Sequence, residues 1–366
     1  MDSEGSVGGS GSPTYHRSDY PTTSQRRQSS AARRQSPTGI EQARAFLQQF
    51  YNLKSTATNY DLEKVFVCKI SEIEWLVLCH EFNLDDERRQ AWPRFSFNSH
   101  TSTLKIYATQ SCFHDGVITF LRDHFIILFH RVLPQQLRKR VKIHTTVEEE
   151  VFEAEYEGSF KIPDLGISLR KNDSPERELQ WVLEVGFSET YEDLQEDMRL
   201  WLTGQPTCSM AVLINITESP AYRCPLDFDL DICDELNIPR DSPRQIKEGD
   251  FSLQGEYGPV EFKGYQWVGQ ISEVYLETWT RNPRTGQPRR RGGRMSLLPP
   301  ANESPQFRLS DLVPVDDPQM TSVDWEELQT ELKDCLQLQA AKRCRAWIKE
   351  SRKRAGLDDG EFDGAS

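Results

Sequence analysis

Phe160-Lys161-Ile162-Pro163-Asp164-Leu165-Gly166-Ile167-Ser168-Leu169 and, a short break later, Trp181-Val182-Leu183-Glu184-Val185-Gly186-Phe187 form the stretch whose reading decides the fold. The second segment is short and largely apolar, the pattern of a strand covered on both faces. The first carries Ile162, Leu165, Ile167 and Leu169 and predicts one strand over 160–169. Asn172, Asp173, Ser174 and Pro175 predict the turn between them. Each segment holds one acid that an apolar run does not explain. Buried and unpaired, Glu184 would cost several kcal/mol or take up a proton. On neighbouring strands Asp164 and Glu184 can share a sheet edge, because alternate side chains share a face. Two carboxylates at such an edge make a hard oxygen site suited to Mg²⁺ or Mn²⁺. An ion held there lowers the pKa of bound water and polarises a phosphoryl oxygen. Two structural alternatives stand beside this reading: Glu184 accepting hydrogen bonds from the start of the next helix, and Asp164 serving as a turn residue after Pro163.

Working outward, residues 141–156 alternate loosely and predict a further strand, broken near Glu148-Glu149-Glu150. Before it, Val117, Phe120, Leu121, Phe125, Leu128 and Phe129 have the spacing of a buried helix stripe over 114–132. After it, Ser188 and Thr190 offer caps for a helix running to Leu202, with Gly204 as its stop. Met210-Ala211-Val212-Leu213-Ile214 is a second buried-type strand. The order is helix, three strands, helix, strand, which predicts an α/β fold. Further helices are expected over 40–51 and 70–82, and strands over 104–107 and within 265–281.

The Pro-Asp of one strand, the Glu-Val-Gly-Phe-Ser of the next and the order of elements resemble the restriction-endonuclease-like PD-(D/E)XK superfamily. The chain is similar above all to a branch that continues Glu-Val-x-x-Ser into a helix and opens the preceding helix with a histidine, here His114. The resemblance spans residues 104–216. It implies a divergent nuclease-like protein performing Mg²⁺-dependent phosphodiester hydrolysis with Asp164 and Glu184, His114 and Ser188 lying beside the site. The alternative is a nuclease-fold protein without catalysis that serves as a nucleic-acid or protein interaction module. The superfamily's lysine belongs two residues after Glu184, where this chain has Gly186. In the similar branch it migrates into the following helix, and the matching position is Asp197. That lysine normally activates the attacking water and offsets developing negative charge, which a carboxylate cannot do. Either Arg199, which falls toward the polar face of the helix, takes its place, or Asp197 joins Asp164 and Glu184 as a third metal ligand. By strand alternation Lys161 is expected to point away from Asp164.

At 366 residues with 37% hydrophobic content, the chain reads as a packed centre diluted by polar ends. Residues 1–39 form a disordered, basic, Ser-rich tail in which Ser29 and Ser36 follow arginines and suit a basophilic kinase. The α/β nuclease-like domain is expected over 40–298, a linker over 299–320, an amphipathic helix over 321–356 and an acidic disordered tail over 357–366. A net charge of -13 argues against a generic polyanion binder. Positive charge is local: Arg289, Arg290, Arg291 and Arg294 are candidate nucleic-acid contacts, and the late basic part of the C-terminal helix is a candidate docking surface for a nucleic acid, a partner protein or the chain's own body. Eight cysteines without a CxxC pair, no apolar run of bilayer length and no apolar N-terminal stretch predict an intracellular protein, nuclear or cytoplasmic, away from membranes.

Overall fold

A computed structural model describes residues 36–51, 65–84, 93–172, 174–187, 189–315 and 320–357. In chain order the first elements are α1 (Gly39–Tyr51), β1 (Phe66–Lys69), α2 (Glu72–Phe82), β2 (Arg94–Asn98), β3 (Thr103–Tyr107), α3 (Cys112–Val132) and α4 (Gln135–Arg138). Next come β4 (Val141–His144), β5 (Phe160–Lys161), β6 (Leu165–Arg170), β7 (Arg177–Gly186), α5 (Tyr191–Arg199), β8 (Met210–Ser219) and α6 (Asp231–Glu235). The series closes with β9 (Ser252–Leu253), β10 (Val260–Phe262), β11 (Tyr265–Val268), β12 (Gln270–Arg281), β13 (Pro288–Arg290), β14 (Met295–Leu298), β15 (Gln306–Arg308), α7 (Leu309–Leu312), β16 (Met320–Ser322) and α8 (Trp325–Arg354). The fold is mixed α/β, as the periodicities predict.

The largest sheet has the order β13-β12-β8-β7-β6-β4, with β14 also pairing β12. β6 and β7 run antiparallel, Leu165 opposite Leu183. β7 and β8 run parallel, Glu184 opposite Leu213, which requires the crossover that α5 supplies. Alternation along β7, shifted once by a bulge at Gln180, feeds two cores. Trp181, Leu183 and Val185 join the face that packs on α3 and α8, while Leu179 and Val182 pack with Leu194, Met198 and Trp201. Glu184, in phase with Val182, therefore falls on the α5 side. A second sheet, β1-β3-β2-β5, has its own core with α1 and α2 around Phe46, Trp75, Phe95 and Phe97.

Three expectations are corrected. Residues 160–169 are not one strand. β5 pairs with β2 in the smaller sheet and β6 with β7 in the larger, and the change falls at Ile162-Pro163-Asp164, where Pro163 has no N–H to continue a ladder. The strand expected over 141–156 stops at His144, and a single 3₁₀ turn occupies Ala154–Tyr156. Nor is 299–320 a linker outside the core, while the helix expected over 321–356 is present and packs on the chain's own body. β15 pairs with β16, Phe307 and Leu312 are fully buried, and α8 buries Leu328, Leu332, Leu336, Ala340, Cys344 and Trp347 on the face the sheet shares with α3. α8 also holds the start of α3. Gln339 Oε1 accepts the Cys112 N–H at 2.8 Å, and a Cβ on Gly116 would stand 2.8 Å from Cys335 Sγ, so only glycine allows this approach. The described residues from Thr38 onward form one compact unit.

Phe307 sits edge-on to Phe125 and Trp181, with ring centroids 6.2 Å away in each case. Truncation to alanine should cost about 3–5 kcal/mol, read by urea denaturation. A linker residue would move stability by less than ~0.5 kcal/mol.

Candidate functional site

The chain leaves the smaller sheet at Lys161 and enters the larger one at Leu165, so a few residues of backbone present side chains to both. Asp164 sits in the bend. Its Oδ2 accepts the Val185 N–H at 2.8 Å and lies 3.0 Å from His114 Nε2. Continuing the β6–β7 register by one residue sets Asp164 opposite Glu184. His114 occupies the first turn of α3, where Ser111 caps the helix by accepting the His114 N–H at 3.1 Å.

Behind the pair lies a buried ion network. Lys161 Nζ stands 3.2 Å from Glu184 Oε2 and 3.1 Å from Asp197 Oδ2. Lys105 Nζ, from β3, donates to the same Asp197 oxygen at 2.9 Å and to Glu189 Oε1 at 3.0 Å. Tyr107 Oη donates to Glu189 Oε1, and Trp201 Nε1 donates to Glu184 Oε1 at 2.6 Å. Lys161 is 2% exposed, Lys105 4% and Asp197 3%, so these charges interact with little screening by water. Burial alone would drive both lysines neutral, but Asp197, with Glu189 beside Lys105 and Glu184 beside Lys161, holds them protonated above the ordinary lysine range. Against its own burial, Asp197 is kept ionised by the two ammonium groups. Asp164 is likewise lowered, burial being outweighed by His114 and the Val185 N–H. Burial dominates at Glu184 and, reinforced by Asp164 and Asp197, pushes it up to about 8 despite Lys161. His114, which burial would lower, is raised to about 9 by Asp164 and Asp115.

A cavity of about 50 Å³ opens onto Asp164, Glu184, Lys161 and His114, with Arg94, Phe95, Tyr107, Ser111 and Phe187 among its walls. That is room for a few waters or a hydrated ion. Among the described residues, no three His, Cys, Asp or Glu side chains are grouped as a preformed metal cage. Asp164 and Glu184 supply hard oxygens to one cavity. This suits Mg²⁺, which keeps several waters and needs only one or two carboxylates.

The residues singled out in the sequence divide accordingly. Asp164, Glu184 and His114 share the cavity wall. Asp197 stands one layer behind, its Oδ2 bridging two lysines rather than facing an ion site with the other acids. Arg199 is half-exposed and pairs with Glu196, outside the cluster. Ser188 and Ser29 lie outside the described residues. Arg290 and Arg294 bind the fully buried Glu277 at 3.0 and 3.1 Å, and Arg291 forks onto Asp311 at 2.8 Å, so much of the basic stretch is internally neutralised. Of the structural alternatives, Asp164 is a bend residue, whereas Glu184 accepts from Trp201, past the end of α5 rather than at its start. The expectation for Lys161 is overturned. Alternation applies within a continuous strand, and the sheet change between 161 and 165 breaks its phase. Lys105 was missed, although a lysine inside Leu104-Lys105-Ile106 carries the same signal of a buried charge as Glu184 does. At Gly186 a Cβ would lie 2.5 Å from Leu194 Cδ1 and 2.6 Å from Asn215 Oδ1, so a lysine there would have to displace both. No protein family, curated protein or solved structure matches the chain.

Removing one member of a buried ion network leaves the others uncompensated. Asp197→Ala should therefore lose about 3–5 kcal/mol in chemical denaturation, whereas Arg199→Ala should stay within ~0.5 kcal/mol. The proton on His114 is bound more tightly in the folded chain than in the unfolded one. Its contribution is complete below about pH 6.5 and lost as pH rises through about 9, with Glu184 acting in the same direction. Thermal melts across that window should show a falling Tm, with a shallower slope in His114→Gln.

Proposed function

We propose that the chain is a divergent PD-(D/E)XK-type phosphodiesterase in which Lys161 takes the part of the lysine that Gly186 cannot supply. The observation that carries this reading is the meeting of Asp164, Glu184 and Lys161 at one cavity. The order of α3, β4, β6, β7, α5 and β8 in and around the larger sheet supports it, because β6 and β7 are neighbours and the bend before β6 continues their register to set Asp164 opposite Glu184.

Asp164 and Glu184 would hold a Mg²⁺ or Mn²⁺ ion, which when bound supplies Lewis-acid activation of water and of the phosphoryl oxygen. The chain's own groups do the rest. Lys161, fixed between Glu184 and Asp197, presents a permanent positive charge beside the acids, where negative charge grows as a phosphodiester is attacked. His114 and the Val185 N–H fix the orientation of the Asp164 carboxylate. Asp197 and Lys105 position Lys161 and exclude water from behind it. Tyr107, its ionisation pushed far up by burial and by Glu189, stays a neutral donor.

A second reading, a nuclease-fold interaction module without catalysis, is favoured by the charge balance. Lys105, Lys161 and His114 already face the four carboxylates of Asp164, Glu184, Glu189 and Asp197, and Glu184 tends to hold a proton. Calorimetry with Mn²⁺ on the wild type and on the Asp164→Ala/Glu184→Ala variant, run beside cleavage assays on DNA and RNA, separates the two. The proposal expects Mn²⁺ binding and cleavage in the wild type and neither in the variant; absence of both from the wild type rejects it. Lys161→Met should lower kcat by about 10²–10³-fold without weakening Mn²⁺ binding, since it removes a cation from beside the acids.

A further inference from the structure

We infer that this site takes an unpaired nucleic-acid strand and excludes the intact duplex, an inference that rests on the phosphodiesterase reading of the same site. Asp164 and Glu184 are recessed, with side chains 15% and 6% exposed, and the Lys161 side chain is 2% exposed. They are reached through a cavity of about 50 Å³ whose walls come from two directions. Arg94, Phe95 and Tyr107 stand on the smaller sheet, while His114 and Phe187 belong to α3 and to the end of β7. A duplex presents its phosphates on a stiff cylinder whose major groove alone is about 12 Å wide. Acids this far withdrawn from the surface are out of reach of a phosphate that must stay in register with its neighbours. A single strand rotates about its backbone bonds and can feed one phosphate in alone, much as enzymes that act on a base in a recessed pocket first take it out of the duplex.

Electrostatics points the same way. Duplex binding draws on many simultaneous Lys and Arg contacts to phosphates. Here Arg290 and Arg294 are committed to Glu277 and Arg291 to Asp311, on a chain of net charge -13. The cavity offers a strand an aromatic contact instead. Phe187, half-buried and packed on Phe113 with centroids 5.3 Å apart, supplies an aromatic surface suited to an unstacked base.

The test uses the full chain with Mn²⁺ and a labelled oligonucleotide in three forms: single-stranded, blunt duplex, and duplex with an unpaired overhang. The single strand and the overhang should be cut roughly a hundredfold faster than the paired region, the factor that opening a few base pairs imposes. Comparable rates on blunt duplex and single strand would overturn the inference and leave the phosphodiesterase reading standing. Fluorescence anisotropy with Ca²⁺ in place of Mn²⁺ covers the converse. Tighter binding of the single strand than of the duplex, with no cleavage of any form in Mn²⁺, would reject catalysis and uphold strand selectivity. Equal binding without cleavage would sink both.

Discussion

Asp197 accepts two buried ammonium groups on one oxygen, and the candidate site is organised around that contact. Lys105 comes from β3, Lys161 from β5 and Asp197 from α5, so one carboxylate ties the smaller sheet to the crossover helix of the larger. Taking three such charges out of water costs several kcal/mol per ion before any attraction is counted. The arrangement persists because the partners close the deficit together: Glu189 and the Asp193 carbonyl beside Lys105, Glu184 beside Lys161. Apolar residues of similar volume would hold the sheets together at less cost. Stability alone therefore gives a weak reason for finding lysines here, and a role for their charge gives a stronger one.

Glu184 takes its character from the same network. It faces one cation, Lys161, and two anions, Asp164 and Asp197, in a place where burial already penalises its charge. Four carboxylates against three cations leave one negative charge in excess, and a proton on Glu184 removes it. Trp201 Nε1, donating to Oε1 at 2.6 Å, fixes the carboxyl's orientation in either protonation state, since that oxygen accepts in both. The site is near neutrality at rest and has one group whose proton an incoming cation could displace.

Much of this fold is legible in the sequence, because its strands and helices bury continuous apolar patterns. The five-residue run from Met210 and the stripe on α3 need no tertiary information to be read. The Thr190 cap is equally local: its Oγ1 accepts the Asp193 N–H at 3.2 Å, so the start of α5 is written into four residues. What stayed hidden depends on contacts distant in sequence. Lys105 and Asp197 are 92 positions apart, and no local pattern joins them. Lys161 was misplaced for a narrower reason. Two apolar segments flanking Pro163 look like one strand, and only the identity of their partners, β2 for one and β7 for the other, shows that they belong to different sheets. Residues 299–320 read locally as a linker, and only contacts distant in sequence show that Phe307 and Leu312 are buried.

The sheet change at Ile162-Pro163-Asp164 also explains why two properties of the site come together. If 160–169 were one continuous strand, Lys161 would follow the phase of the larger sheet and turn away from Glu184, and β5 could not join β2. Because the chain crosses, the smaller sheet delivers Lys161 and Lys105 against the acids and at the same time sets Arg94, Phe95 and Tyr107 over the cavity. Placing a cation beside the two acids and narrowing the approach to Asp164 are thus consequences of one structural decision. Here the cation arrives with the cover, so charge compensation and restricted access are mechanically linked.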